Sequence, residues 1–150
     1  MPRITRNARV TWEGNVARGN GAITAGSGAF AGLPYSLPAR IGPAEGKTSP
    51  EELLAAAHAG CFAMGLASEL TGAEAPADRL EISCTITMDE VEGQGHQIVG
   101  STIEAVVNAP GLDPVAFDGL VEAADAGCPF STLLRNAGAA VSVGATLAPS

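Results

Sequence analysis

Residues 49–72 limit the fold more than any other stretch of the chain. Ser49-Pro50-Glu51-Glu52 supplies an N-cap residue, a proline at the first helical position and a capping-box glutamate. Leu, Ala, Phe and Met dominate the residues after Glu52, so the spacing predicts a helix over 50–70 that is apolar on most sides. Such a helix has to be surrounded by other elements. Its longest apolar run, 53–67, contains His58 and many small residues, and falls short of the roughly 20 residues that span a bilayer. A central helix of a folded domain is expected, with no membrane partner.

The flanking sequence supplies the surroundings. Leu80, Ile82, Cys84, Ile86 and Met88 alternate with Ser83, Thr85, Thr87 and Asp89, which reads as a strand with one apolar face. A turn over 92–97 leads to a second strand over 98–108, with Val99, Ile103, Ala105 and Val107 facing inward. The pattern predicts a long hairpin packed on a helix. Upstream, Ala8, Val10 and Trp12 begin a strand, Glu13-Gly14-Asn15 turns, and another strand runs toward Thr24. Leu33, Tyr35 and Leu37 alternate beside Pro34 and Pro38, as an edge strand would, before a loop over 42–49. Downstream, Asp113-Pro114 opens a helix that Gly127 stops, Cys128-Pro129 restarts a short one, and Val141, Val143, Ala145 and Leu147 form a last strand. The order, βββα–ββα(α)β, predicts an α+β fold in a single domain, 1–150.

Charge excludes several partners. The net charge of −8 and pI near 4.6 argue against nucleic acid and membrane surfaces. Six of the eight basic residues lie in 1–50, and fourteen of the sixteen acids in 51–150, so the two parts attract within a chain or across a dimer. The opening MPRITRNARV has no apolar signal region, so a cytoplasmic protein is expected. Three cysteines do not make a secreted disulfide framework.

Each cysteine reads differently. Cys84 falls on the apolar face of a strand, as a small hydrophobe would. Cys128 is placed at a helix N-cap, where free N–H groups and the positive helix end favour a thiolate. Cys61 lies mid-helix, with Leu54, Ala57, His58, Met64 and Ser68 on about the same face, which suits a core position. His58 and Cys61 stand at i, i+3, too few ligands for a metal but enough to raise a Cys–His hydrolase as one reading. A buried, fully hydrogen-bonded histidine is the plainer reading. Residues 42–48 are one short of a phosphate-binding loop and carry Glu45, which would repel phosphate. Arg40, between apolar Leu37 and Ile41, asks for a carboxylate, and Glu51 or Glu52 is the natural candidate.

Together, Trp12-Glu13-Gly14, Ser36-Leu37-Pro38-Ala39-Arg40, the block from Ser49-Pro50-Glu51-Glu52-Leu53 through His58-Ala59-Gly60-Cys61-Phe62, and Ala126-Gly127-Cys128-Pro129 resemble the OsmC/Ohr family of organic hydroperoxide peroxidases, its OsmC branch in particular. That resemblance implies curved antiparallel sheets wrapped around central helices in an intertwined homodimer. It implies that Cys61 attacks the peroxide, Cys128 resolves the sulfenic acid, Arg40 holds the Cys61 thiolate and Glu51 orients Arg40. This reverses the ranking that helix position alone gives the two thiols. It further implies alkyl or lipid hydroperoxides as substrates, a lipoyl-type dithiol as reductant, and no metal, flavin or haem cofactor. Cys84 has no role in that pattern. The alternative from a different class is a non-enzymatic module of the same fold that binds an acyl or other hydrophobic ligand.

Overall fold

The computed structural model describes residues 2–149. The chain divides into two compact units, Met1–Pro50 and Glu51–Ser150. The division coincides with the change of charge along the sequence. The elements are mixed α and β, with two three-stranded sheets and four helices among the described residues.

The first unit holds β1 (Ala8–Glu13), β2 (Asn20–Ala25) and β3 (Leu33–Tyr35) in one antiparallel sheet with β2 central, followed by α1 (Leu37–Ile41). Gly21 pairs with Trp12 on one side and Tyr35 on the other. A side chain there would collide with the Tyr35 ring, and its absence lets the two rings meet edge to face at 5.5 Å and 61°. The strand expected to continue through Leu37 instead stops at Tyr35. Ser36 adopts extended backbone, its Oγ accepts from the Ala39 N–H at 3.3 Å, and Pro38 sits in the first turn of α1. The serine cap and proline override the alternation. Arg40 therefore rides on a short helix rather than a strand or loop.

The second unit holds α2 (Pro50–Gly72), β4 (Arg79–Val91), β5 (Gly95–Asn108), α3 (Pro114–Ala126), α4 (Pro129–Asn136) and β6 (Ala140–Leu147). β4 and β5 form the expected antiparallel hairpin, with a bulge at Thr87/Met88. β6 pairs with β5 in parallel, after a crossover through α3 and α4. Asp113 caps α3 by accepting from the Ala116 N–H at 3.2 Å, and Gly127 ends it. α2 buries a stripe at i, i+4 spacing: His58, Phe62, Leu66 and Leu70. Those residues meet Ile103, Ala105 and Val107 of β5 and Phe117 and Ala124 of α3 in the core. By length and composition α2 could cross a membrane, with mean hydropathy 1.4 over its apolar window, but a core helix meets the same test. The rest of its apolar surface is less covered; Met64 is 78% exposed.

Candidate active site

Cys61 sits in the middle of α2, half-buried, next to the buried Phe62. Its expected face is divided: His58 is buried, whereas Met64 and Ser68 point out. Cys128 occupies the corner between α3 and α4 and is only 2% exposed. Its backbone is anchored by N–H donation to the Asp125 carbonyl at 3.1 Å and by Thr132 N–H donation to its own carbonyl at 3.1 Å. The fold brings the two thiols close enough to act on each other: the neighbouring Cys128 raises the pKa of Cys61. Both are free thiols.

The start of α4 contributes a further group. Cys128 is its N-cap and Pro129 its first helical residue, yet the Cys128 side chain caps nothing. The Phe130 N–H is given to Cys61 instead. The helix end expected to favour a Cys128 thiolate therefore serves Cys61, a pairing that position along the chain does not reveal. It is not sufficient alone. Burial first, then the hydrogen bond and charge of Cys128, push the Cys61 thiol above its ordinary pKa, and the Phe130 N–H only opposes them. A cation is what this site needs to hold a thiolate at neutral pH.

His58 does not activate Cys61. Its Nδ1 lies 2.6 Å from Ser101 Oγ and its Nε2 2.8 Å from Ser131 Oγ, so both ring nitrogens are engaged elsewhere. The Cys–His hydrolase reading fails on this geometry, and the buried, satisfied histidine is what is found. Neither serine was singled out in the sequence. Ser101 does lie in register with Val99, Ile103, Ala105 and Val107 on the inner face of β5, a signal that could have flagged it.

Arg40 lies in the last turn of α1 and Glu51 in the first turn of α2. Arg40 is exposed rather than semi-buried, and it lines a cleft of about 180 Å³ with Trp12, Val16, Tyr35, Ser36 and Leu37. Glu51 is half-buried. Among the described residues no cluster of three or more His, Cys, Asp or Glu side chains is arranged to hold a metal ion.

The sequence model of the OsmC-like protein family matches residues 42–143, which carry both thiols and the helices around them. This chain belongs to the OsmC-like family. Peroxiredoxin OsmC of Escherichia coli (strain K12) is 35% identical over 132 residues, covering 88% of this chain and 91% of the relative. The crystal structure of the organic hydroperoxide resistance protein OhrB of Bacillus subtilis is similar with a TM-score of 0.66 and 30% identity, over 95% of this chain and 98% of that one. The organic hydroperoxide resistance protein OsmC of Legionella pneumophila shares the fold, with a TM-score of 0.74 at 21% identity over 99% of this chain and 100% of that one. The OsmC-like fold thus accounts for the mixed architecture and its two small sheets.

Proposed function

We propose that the protein is a thiol peroxidase that reduces organic hydroperoxides, as the names of its peroxiredoxin and hydroperoxide-resistance relatives suggest. The observation that carries the reading is the Cys61–Cys128 pair, two free thiols, one half-buried and one buried, close enough for Cys128 to act on Cys61 beside the start of α4. The Cys61 thiolate attacks the terminal oxygen of R–O–O–H, breaking the O–O bond. The alcohol leaves after protonation, and Cys61 becomes a sulfenic acid. Cys128 then attacks that sulfur, expelling water and forming the Cys61–Cys128 disulfide. A dithiol, lipoyl-type by family resemblance, restores both thiols by exchange.

Arg40 is the cation that lowers the Cys61 thiol against its burial, and it also donates to the departing alkoxide. Glu51 orients the guanidinium. A second copy of the chain completes the molecule: the apolar, partly uncovered α2 and the opposite charge of the two units favour an intertwined homodimer. The enzyme works in the cytoplasm, where dithiol reductants are maintained.

Thiol titration after one equivalent of cumene hydroperoxide tests the reading. Two thiols per chain should disappear in the wild type and one in Cys128→Ser, with multiple turnover lost in the variant. No loss of thiols would leave the hydrophobic-ligand module as the better reading.

A further inference from the structure

His58 is 0% exposed and lies at the centre of a buried polar chain that the peroxidase chemistry does not use. Beyond Ser131 lies Asp125, gripped by Arg135 at 2.6 and 3.2 Å, whose carboxylate form the Ser131 hydroxyl also favours. Beyond Ser101 it reaches Cys84, whose Sγ lies 3.2 Å from Ser101 Oγ and 3.8 Å from His58 Nδ1.

The carboxylate sets the direction of every link, because it can only accept. Ser131 donates to Asp125, so its oxygen accepts from His58 Nε2–H. Nδ1 is then bare and accepts from Ser101, whose oxygen accepts the Cys84 S–H. Every proton in the chain is used once, and the imidazole is neutral. The burial that lowers the His58 pKa, opposed by the Asp125 charge and aided by that of Arg135, agrees with that form.

The chain also has a place in the fold. His58 is one turn before Cys61 on α2, and Ser131 is one turn after Cys128 on α4. Asp125 lies the same distance before Cys128, at the end of α3. We infer that His58 is a positioning residue: its bond to Ser131 clamps the α3–α4 corner onto α2 and so fixes Cys128 within bonding reach of Cys61. A disulfide tolerates little error in the separation and direction of its two β-carbons. Ala124, Cys128 and Phe130 pack the corner against the core, and the His58–Ser131 bond adds a directional tie to α2 that apolar packing does not supply.

The inference rests on the thiol pair acting together, as proposed above. Its test uses two oxidants. Diamide joins two thiols into a disulfide, leaving as the hydrazine, and needs no peroxidase activity. Cumene hydroperoxide with dimedone capture reads the sulfenic acid step alone. An asparagine amide falls where imidazole Nδ1 lies, and a glutamine amide where Nε2 lies. His58→Asn therefore keeps the bond to Ser101 and loses the one to Ser131, whereas His58→Gln does the reverse. His58→Asn and Ser131→Ala should close the disulfide with diamide roughly tenfold to a hundredfold more slowly. Both should still form sulfenic acid with peroxide, because Cys61 itself stays in place on α2, while the contacts of Cys128 and Phe130 on it change. His58→Gln should restore closure. Equal closure rates in folded wild type, His58→Asn and Ser131→Ala would overturn the assignment, as would equal slowing by Asn and Gln. Wild-type protein that closes with diamide but not with peroxide would refute the peroxidase reading and leave the clamp standing.

Discussion

Acidification should weaken the protein through His58, and the sign is fixed by the structure. Burial holds the folded-state pKa of His58 below the ordinary value of 6.5, with Asp125 raising it and Arg135 lowering it further. Above pH 6.5 the ring is neutral in both folded and unfolded chains, so its contribution does not vary. As the pH falls below that value, the unfolded chain takes up a proton that the folded chain refuses. Stability is therefore lost until the folded-state pKa is reached. One proton of difference corresponds to at most about 1.4 kcal/mol per pH unit. With a urea m-value near 2 kcal/mol per molar, that is a fall in midpoint of roughly 0.7 M per pH unit. The assay is urea unfolding by far-UV circular dichroism, at fixed protein concentration, between about pH 7.5 and pH 5.5. His58→Gln has no titrating ring and should lose this component, so the difference between the two slopes isolates it. Identical slopes, or a wild type that gains stability on acidification, would refute the neutral, proton-refusing imidazole.

Three other outcomes are expected. Phe62→Ala, which empties a fully buried position against β5 and α3, should cost about 3–5 kcal/mol by urea unfolding. Burial alone would raise the Asp125 carboxyl, but the bonds from Arg135 and Ser131 and the Arg135 charge together hold it below its usual value; Arg135→Gln should move it upward in a carboxyl-carbon NMR titration. Arg40→Ala should slow Cys61 oxidation by about 10²-fold or more in stopped-flow peroxide consumption, with the circular dichroism spectrum unchanged.

Much of the molecule was legible because local chemistry decided it. The proline after Ser49 marks the start of α2, Asp113 caps α3, and Gly127 ends it. Strict alternation exposed β4 and the inner face of β5. The features that could not be read depend on partners far away in the chain. The parallel pairing of β5 with β6 leaves no local signature, since parallel and antiparallel strands with one buried face alternate alike. α1 was hidden because Leu33, Tyr35 and Leu37 mimic a strand until Ser36 turns the chain. Both motif cysteines were plain, but helix position alone gave no sign that the Phe130 backbone acts on Cys61. His58 could be read as a buried ring needing partners, while Ser101 and Ser131 became identifiable only once β5 and α4 packed against α2.

The crossover between β5 and β6 also dictates an order of events during synthesis. The corner that carries Cys128 lies inside that crossover, and β6 is the strand that closes it. Closing a long loop is a late and slow step for a folding chain. A ribosome that has released α4 but not β6 therefore displays Cys61 and Cys128 with the His58–Ser131 tie available but the sheet still open. Until β6 docks, the nascent sulfur atoms depend on the reducing capacity of their surroundings as well as on the protein's own architecture.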